Sequence, residues 1–569
     1  MSKTAKEVSM PADSFTLRAI ARELDCLLKG GRINRVCQPE RNEVALSVFS
    51  GRRQIRVLLS CNPETPRVHV TRRAKENPEV PFNFCMALRK HLTGGIILRA
   101  GQVPYERVIF LEVENADELF DRATYSLIIE VMGRRSNIIL CDAGMKMLAI
   151  AKPTPLSLGE ERSFLVGMKY RYPQNDRIEI SDFERAKRAI ERYAGAEGET
   201  FIRDTFRGFS LETARHIIAK AGLEGRPIKE GAEKILSAAR EFEREIDEGR
   251  LNPCVLMREG APKDLFAMPY SYFKGEELVF FASMNECADE FYGMLESKKT
   301  VLDKKRKLAS AAGSALKKAE KKAGLLMEKL TEAGRSEFYR KCGELLVANI
   351  YLLKGGEKSV KVEDYYDGMK EITIPLEPIL SPSQNAQAYF KKYNKLKNAA
   401  AQSKAQLEGV SEQISYLKSI LGYIEGAEGL EEFEEIEEEL ISQGIAKEQK
   451  AQKRKKAEPK AAFIEVNGHT IYYGKNNIQN DYITFKLARP EDLWFHIKGE
   501  HGPHVVLRAD GMGDEQAILA AAKLAASLGQ RRDRAAVDYT LKKYVKKPPG
   551  SRPGYVTYSK YKTIYVKGN

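Results

Sequence analysis

The sequence lacks the features of membrane, secreted and disulfide-bonded proteins. No apolar run approaches the roughly 18 residues that a membrane-spanning helix requires. The first residues, 1–7, lack the apolar segment of a secretory signal peptide. The eight cysteines are scattered and none forms a Cys-x-x-Cys pair, so we expect reduced, mostly buried thiols and neither disulfides nor a zinc site. These absences predict a cytoplasmic protein with no membrane partner.

Motifs for nucleotide binding and catalysis are also missing. The chain contains neither a Gly-x-x-x-x-Gly-Lys-Ser/Thr loop nor a Gly-x-Gly-x-x-Gly sequence after a strand. No histidine lies in a nucleophile-elbow context. His496, His501 and His504 lie close together, but no carboxylate or cysteine at ligand spacing completes a metal site. We therefore expect no catalytic residue, metal or cofactor, and interpret these histidines as hydrogen-bonding groups.

Length and charge indicate several domains and a polyanionic partner. A chain of 569 residues is too long for one hydrophobic core, and roughly three to five domains are expected. The net charge of +14 is uneven, because residues 447–569 hold 24 Lys and Arg against 12 Asp and Glu. A basic surplus confined to one region is typical of nucleic-acid-binding proteins. The acidic run 428–439 and the basic run 450–460 are interpreted as solvated helix ends and linker.

Two long stretches show the heptad pattern of coiled coils. In the first, apolar residues recur at every seventh position: Leu295, Leu302, Ala309, Leu316, Ala323 and Leu330. In the second, spacings of four and three alternate: Leu396, Ala400, Ser403, Leu407, Val410, Ile414, Leu417, Leu421 and Ile424. Because a compact insert separates the two seams, we predict an antiparallel intramolecular hairpin with the insert at its tip. A parallel dimeric coiled coil is the alternative.

The rest of the sequence predicts a multidomain α+β protein. Before the first arm, the pattern indicates helices at 12–29 and 81–92 and strands at 32–37, 43–49, 54–60, 108–113, 125–131 and 137–141. Short helices between Gly turns over 178–250, one of them capped by Ser210, suggest a helix-hairpin-helix module followed by short strands. After the second arm an α/β domain begins, with strands at 482–487, 505–507, 555–558 and 563–566 and a helix at 516–528.

These patterns give seven segments. They are an N-terminal α+β domain, the helix-hairpin-helix module with its connector, the first arm, the insert, the second arm, a charged linker and the C-terminal domain. The expected boundaries are 1–173, 174–283, 284–334, 335–383, 384–440, 441–461 and 462–569.

The C-terminal domain combines positive charge with aromatic rings, as an RNA-binding surface requires. Phosphates supply affinity and rings supply stacking. The candidate RNA contacts are Lys475, Asn476, Asn477, Trp494, His496, His504, Lys542, Lys543, Lys546 and Lys547. For Trp494 and Phe495, packing in the core is an equally good interpretation.

Several of these segments resemble one family. Residues 474–482, 494–496, 504–506, 537–540 and 545–548 are similar to the C-terminal NFACT-R domain of the NFACT family. The insert sequence 364–368 and residues 385–393 resemble its middle region. Residues 88–92 and 130–138 resemble its NFACT-N domain. The resemblance follows the order of the family's domains along the whole chain.

The resemblance implies a non-enzymatic role in ribosome-associated quality control. A family member of this kind binds a large (50S) ribosomal subunit obstructed by peptidyl-tRNA and recruits charged tRNA, alanyl-tRNA in bacteria. The ribosome then adds a template-independent tail that marks the stalled chain for degradation. The implied partners are this subunit, tRNA-Ala, ribosomal proteins at the tip of the coiled coil and a small RNA-binding protein such as RqcP.

The resemblance also implies a tRNA site in the N-terminal domain. The family's Asp-Arg pair and Glu-Ile-Met segment correspond here to Glu106-Arg107 and Glu130-Val131-Met132, and two further cations follow, Arg134 and Arg135. An arginine can form a forked contact with phosphate or a guanine edge while a carboxylate orients it. A surface salt bridge between Glu106 and Arg107 is the alternative.

Two other functions are weighed against this one. The domain pairing also resembles formamidopyrimidine DNA glycosylases, which need an N-terminal Pro followed by Glu. Here Met1 is followed by Ser2 and Lys3, and Pro11 is internal, so we do not expect that activity. A surface adhesin that binds fibronectin would require unconventional export and would leave the basic surplus unexplained.

Overall fold

The computed structural model describes residues 12–116, 121–154, 162–447, 461–508, 514–527 and 534–567. The chain divides into two compact units between Ser297 and Lys298. Both units combine helices with sheets. Within the described ranges, no helix is both long and apolar enough to cross a bilayer.

A nine-stranded antiparallel sheet forms the centre of the first unit. Its strands are β1 (Arg32–Glu40), β2 (Glu43–Ser50), β3 (Arg53–Ser60), β4 (Arg67–Val70), β5 (Ile96–Gln102), β6 (Val108–Ala116), β7 (Arg122–Glu130), β8 (Asn137–Cys141) and β9 (Met147–Ile150). Their order across the sheet is β4-β3-β2-β1-β5-β6-β7-β8-β9. Helices α1 (Ser14–Leu28) and α2 (Asn83–Leu92) pack against it.

Local signals account for most of these elements. Asp13 caps α1 by accepting a hydrogen bond from the Thr16 amide at 2.9 Å, and the apolar residues of the helix face the core. Every predicted strand of this region is present within one to three residues of its predicted ends. The prediction missed β4, β5 and β9. In β5 a register shift between Ile97 and Arg99 interrupts the alternation that identifies a strand.

Four further helices share the core of this sheet. They are α3 (Phe183–Glu191), α4 (Gly198–Thr205), α5 (Leu211–Lys220) and α6 (Ala232–Glu248). The predicted Ser210 cap is confirmed, because its hydroxyl accepts a hydrogen bond from the Thr213 amide at 3.0 Å. Phe15 of α1 packs edge-on against Phe209 and Phe242. The helices and the sheet are therefore one continuous apolar cluster.

A small three-stranded sheet leads into a long helix. Its strands are β10 (Cys254–Arg258), β11 (Ala261–Phe266) and β12 (Glu277–Phe280), with β10 in the middle. Helix α7 (Met284–Ala333) follows. The Glu23 carboxylate of α1 accepts hydrogen bonds from the first amides of α7, from Met284 N at 2.7 Å and from Asn285 N at 2.9 Å. A carboxylate here satisfies otherwise unpaired amides and opposes the positive end of the helix dipole.

The second unit begins with the rest of α7, followed by three further helices and a two-stranded insert. The elements are α8 (Ser336–Ala348), β13 (Ser359–Asp364), β14 (Lys370–Pro375), α9 (Pro382–Gly426) and α10 (Leu430–Ser442). Helix α9 begins with a capping box of Ser381 and Gln384. One apolar cluster contains residues of α7, α9 and α10. Lys305 Nζ donates to the Glu425 carbonyl at 2.7 Å, so this part of α7 lies beside the end of α9.

The predicted apolar seam holds in α9 and is incomplete in α7. All nine predicted seam residues of α9 are buried or half-buried. In α7 five of the six predicted residues are half-buried, but Leu302 is 41% exposed. The prediction missed a second row in α7, which includes the buried residues Leu308, Ala312, Ala319 and Leu326. A strict seven-residue repeat marks a single row, whereas the contact face of a helix needs two rows at spacings of three and four.

The C-terminal domain is built on a six-stranded antiparallel sheet. Its elements are β15 (Ala462–Val466), β16 (His469–Tyr473), α11 (Asn477–Tyr482), β17 (Leu493–Ile497), β18 (Val505–Leu507), α12 (Glu515–Ser527), β19 (Arg534–Leu541), β20 (Val545–Lys546), β21 (Thr557–Tyr558) and β22 (Lys562–Lys567). The sheet order is β15-β16-β18-β17-β19-β22. Alanines of α12 are buried in the same apolar cluster as the sheet residues.

Two strand predictions in this domain were wrong. The segment predicted as a strand at 482–487 ends α11 and continues as a π-helical turn, Ile483–Leu487. Its alternation of apolar and polar residues resembles a strand, but the adjacent residues Ile483 and Thr484 are both buried, whereas neighbours in a strand point to opposite faces. The second segment, 555–558, does not close the main sheet, because only β21 forms there and pairs with β20.

Replacing the carboxylate at the start of α7 should loosen that helix end. We expect Glu23→Ala to cost about 1 kcal/mol locally, or about fivefold faster amide exchange at Met284 and Asn285. Hydrogen–deuterium exchange of the full chain measures this. Glu76→Ala is the control, because Glu76 is exposed and its replacement removes the same charge. Equal exchange in both variants would contradict the capping role.

Candidate nucleic-acid interface

The two predicted tRNA-site segments lie side by side. Strands β6 and β7 pair so that Val108 is opposite Glu130. Just beyond this pair, the Val131 amide donates to the Arg107 carbonyl at 2.8 Å. The sheet register therefore brings together residues that are far apart in the sequence.

Glu106 forms its ion pair with a residue that the sequence analysis missed. Its side chain is buried, and one carboxylate oxygen accepts from Asn175 Nδ2 at 2.7 Å and Arg207 Nη2 at 2.8 Å. Arg207 also contacts Glu179 at 2.7 Å. The alternative interpretation of Glu106 and Arg107 as a salt bridge was wrong, since the ion-pair partner of Glu106 is Arg207. No local sequence signal identifies Arg207.

Arg107 is left with its donors unused. Its side chain is half-buried and makes no hydrogen bond or ion pair within the described part of the chain. Burial lowers the pKa of the Arg107 guanidinium, while the nearby carboxylates of Asp13 and Glu106 act in the opposite direction. Arginine remains charged in proteins despite such a shift. A half-buried guanidinium group of this kind can donate hydrogen bonds to a phosphate or a base edge.

Glu130 and Val131 support the site from inside. Glu130 is 1% exposed and binds the guanidinium of Arg162 and the hydroxyl of Tyr170, the latter at 2.7 Å. Burial, followed by the charge of Glu130, raises the pKa of Tyr170, so its hydroxyl stays protonated and donates. Val131 is buried in the core. These two residues hold the end of β7 in place and do not face solvent.

The turn after β7 presents two free cations. Met132 is half-buried, and its amide donates to Ser136 Oγ at 2.7 Å across the 3₁₀ turn Gly133–Arg135. Gly133 has a φ of +57°, which favours glycine. Arg134 and Arg135 are exposed, and neither has a partner among the residues that are described. The accessible cations of the predicted site are therefore these two and Arg107.

In the C-terminal domain, three of the predicted RNA contacts face α10. Lys475 pairs with Glu432, Asn476 Nδ2 donates to Glu435 at 2.6 Å, and Asn477 Nδ2 donates to Glu439 at 3.0 Å. These three glutamates share one face of α10 because they are three and four residues apart. They were interpreted as part of a solvated helix end, and that was wrong. The three predicted contacts are engaged within the protein.

Glu439 is the most buried member of this contact. It is 0% exposed and also accepts from the Tyr416 hydroxyl of α9 at 2.9 Å. Its second oxygen, Oε2, has no hydrogen-bond partner among the described residues. Burial raises the pKa of Glu439 to about 7, although the bonds from Asn477 and Tyr416 act against this shift. The carboxyl group is thus close to half-protonated near neutral pH.

The ring cluster of this domain belongs to its interior. Trp494 and Phe495 are fully buried, and Trp494 Nε1 donates to Thr484 Oγ1 at 3.2 Å. His504 is 1% exposed, and its Nδ1 lies 2.8 Å from the same hydroxyl. His496 is half-buried and stacks on Trp494 at a centroid distance of 5.6 Å. Core packing is therefore the correct interpretation of Trp494 and Phe495, and both rings are closed to RNA.

The predicted lysine run is the accessible part of the domain. Lys546 is exposed and has no partner in the described ranges. Lys543 lies 3.1 Å from Glu491, Lys547 pairs with Asp481, and Lys542 lies 5.9 Å from the centre of the Phe485 ring. Exposed ion pairs contribute only about 0–1 kcal/mol, so phosphate can compete for these lysines.

Three exposed tyrosines near this run were missed. They are Tyr555, Tyr561 and Tyr565, with exposures of 42%, 46% and 63%. The sequence from 555 to 567 alternates tyrosine with lysine, and this was the signal that could have identified them. Exposed tyrosine faces beside lysines suit stacking with unpaired bases.

Comparison with known proteins identifies the family. Residues 13–459 match the NFACT N-terminal and middle domains, and residues 460–551 match the NFACT protein RNA binding domain. The chain belongs to the NFACT family. It is 34% identical to the Rqc2 homolog RqcH of Bacillus subtilis (strain 168), with 98% of each chain covered.

Two further similarities are weaker. The ribosome quality control complex subunit NEMF of Mus musculus is 24% identical over 59% of this chain and 33% of its own length. A solved structure, the N-terminal part of the fibronectin/fibrinogen-binding protein from Streptococcus suis, is 27% identical. It covers 49% of this chain and 98% of its own, with a TM-score of 0.42.

In this NFACT chain, Glu439 should make the stability of the C-terminal domain depend on pH. Its folded pKa of about 7 lies above the ordinary value of 4.5, so the folded state binds more protons between these values. Stability should therefore fall as pH rises from about 4.5 to about 7. We expect Glu439→Gln to weaken this dependence and to stabilise the domain above neutral pH.

Urea unfolding followed by tryptophan fluorescence measures this effect, because Trp494 is the single tryptophan and lies in that domain. Glu438→Gln is the control, since Glu438 is exposed on the same helix. An unchanged pH slope in Glu439→Gln would show that other groups cause the dependence.

Proposed function

We propose that this chain is a ribosome-associated quality-control factor. It binds obstructed large (50S) ribosomal subunits that carry peptidyl-tRNA and recruits charged tRNA, specifically alanyl-tRNA. The ribosome then extends the stalled chain with a template-independent C-terminal tail that marks it for degradation. The observation that carries the proposal is the 34% identity to RqcH over 98% of both chains. The chain itself catalyses no step, because the ribosome forms the peptide bonds, and it acts in the cytoplasm.

The tRNA site of the proposal is centred on Arg107, Arg134 and Arg135. Their guanidinium groups lie near the end of β7 and have no ion-pair partner among the described residues. Arginine matches phosphate and guanine geometry through forked hydrogen bonds. Glu106 acts indirectly, because it forms its ion pair with Arg207 and leaves the Arg107 donors available to a ligand. Glu130 and Val131 position the strand end.

We infer that α7 and α9 form an antiparallel coiled-coil hairpin with β13 and β14 at its tip. The shared apolar cluster and the contact of Lys305 with Glu425 support this arrangement. Helix α9 alone has 45 residues and is therefore about 68 Å long. An arm of this length suits contact with ribosomal proteins at its tip. The basic C-terminal domain would contact ribosomal RNA, and a small RNA-binding protein such as RqcP would be a further partner.

Crosslinking and immunoprecipitation from cells, with sequencing of the bound RNA, tests the function and the site together. The wild-type chain should enrich tRNA-Ala and large-subunit ribosomal RNA. Arg107→Ala should lose most of the tRNA and retain the ribosomal RNA, because it removes one forked donor without disturbing a hydrogen bond. Arg122→Ala is the matched control, since Arg122 is exposed and forms only a 3.4 Å ion pair with Glu114.

The outcomes separate the class from the site. Loss of tRNA in Arg107→Ala but not in Arg122→Ala supports both. Retention of tRNA in Arg107→Ala would place the tRNA site elsewhere. No RNA above background in the wild type would contradict the ribosomal function and favour the fibronectin-binding alternative.

The two exposed arginines give a separate prediction for binding in vitro. If Arg134 and Arg135 contact phosphates, replacing both with alanine should weaken tRNA binding and reduce the slope of log K against log salt by about 1 per residue. Fluorescence anisotropy with labelled tRNA at several salt concentrations measures the slope. Replacing the exposed pair Arg52 and Arg53, at the β2–β3 turn, is the control. An equal change in both double variants would indicate only a nonspecific charge effect.

A further inference from the structure

A cationic cleft lies on the opposite side of the N-terminal sheet from α1. It has a volume of about 90 Å³ and lies between strands β1–β4 and the first turns of α7. Among the described residues, five cationic side chains line it: Arg35, Arg56, Arg67, Arg73 and Lys75. Two acidic side chains, Asp289 and Glu296, line the wall formed by α7. The predicted tRNA site uses none of these residues.

The sheet register places a hydroxyl between two arginines. Arg35 of β1 is paired with Ser47 of β2, and Ser47 is paired with Arg56 of β3. Neighbours across an antiparallel pair lie about 5 Å apart on one face. Arg35 is exposed and has no partner among the described residues, and Arg56 contacts only the Arg73 carbonyl, at 3.2 Å. Ser47 is 8% exposed, and its hydroxyl also has no described partner.

The deeper part of the cleft contains two buried polar atoms that have no hydrogen-bond partner among the described residues. They are Arg67 Nε and His69 Nε2, on side chains that are each 2% exposed. His69 Nδ1 lies 3.0 Å from the Val70 carbonyl and must donate to it. Burial lowers the pKa of His69 to about 4, so the neutral ring leaves Nε2 as an acceptor. The cleft thus offers one unused donor and one unused acceptor, each of which is costly to leave unpaired.

The acidic groups around the cleft already have partners. Glu43 and Glu296 accept from Arg67 at 3.0 and 2.5 Å, and both also pair with Lys75. Asp289 accepts from the Thr71 hydroxyl at 2.6 Å and the Arg72 amide at 3.0 Å. The carboxylates are therefore occupied, whereas neither Arg35 nor Arg56 has an acidic partner among the described residues.

A glycine in α7 shapes the wall of the cleft. A Cβ at Gly293 would lie 2.0 Å from Arg73 Cζ, so only glycine allows the Arg73 guanidinium to lie against the helix. Arg73 then pairs with Glu290 at 2.9 Å.

We propose that this cleft binds a phosphate group, held by Arg35 and Arg56 with the Ser47 hydroxyl between them. Two guanidinium groups and a hydroxyl supply donors for the phosphate oxygens. His69 is opposite Leu58, two residues along β3 from Arg56, and its Nε2 can accept from a hydroxyl of the same ligand, either a protonated phosphate oxygen or a ribose hydroxyl. The phosphate is either part of an RNA backbone or a free phosphate.

Calorimetric titration of the full chain with inorganic phosphate tests the site without reference to ribosomes or tRNA. The wild-type chain should bind phosphate. Arg56→Gln should bind it at least about tenfold more weakly, and Ser47→Ala at least about threefold more weakly. Arg53→Gln should bind as the wild type does, because Arg53 lies on the same strand outside the cleft. Circular dichroism checks that each variant is folded.

A second titration distinguishes the sources of the phosphate. The affinity for a labelled single-stranded RNA is measured with and without inorganic phosphate. A chloride salt, with no sulfate present, keeps the ionic strength constant. Competition by phosphate, together with weaker RNA binding by Arg56→Gln, supports an RNA backbone phosphate. Phosphate binding without competition supports a free phosphate. No phosphate binding by the wild type, or equal binding by Arg56→Gln and Arg53→Gln, would overturn the proposal, and neither result would affect the test of tRNA recruitment.

Discussion

A carboxylate withdrawn from water must receive hydrogen bonds, and this requirement governs how the elements of the protein are joined. Glu23 receives the first amides of α7 and so fixes the start of a 50-residue helix. Glu130, at the end of β7, accepts hydrogen bonds from Arg162 and Tyr170. Glu439 joins α9, α10 and the C-terminal domain through Tyr416 and Asn477. In each case the donors come from distant parts of the sequence, so the contact forms only when the elements are correctly assembled.

The same requirement leaves selected cations unpaired. Glu106 is satisfied by Arg207 and Asn175, and its neighbour Arg107 has no hydrogen-bonded partner among the residues that the structure describes. On the far side of the sheet, the carboxylates near the cleft are occupied by Arg67, Lys75 and backbone groups, and no described acid pairs with Arg35 or Arg56. A protein that binds polyanions needs positive charge that its own acids do not neutralise, and internal pairing of those acids provides it.

The polar and aromatic residues selected from the C-terminal sequence have different structural roles. The amides of Asn476, Asn477 and Asn480 bind α10 and α9, and they therefore attach the domain to the helices. Trp494 and its neighbouring histidines fill the interior behind them. The exposed lysines and tyrosines lie near β20–β22, where surface ion pairs contribute little to stability.

The sequence alone determined what depends on local pattern. Caps, turns and apolar periodicity predicted α1, β2, α5 and the seam of α9, and the composition predicted a basic C-terminal region. Only the tertiary structure decided which polar side chains are buried and what they contact. It showed that Glu106 pairs with Arg207, that Leu302 lies outside the seam, and that Lys475 faces α10. The physical reason is that desolvation and pairing depend on neighbours that are distant in sequence, and a local pattern does not contain them.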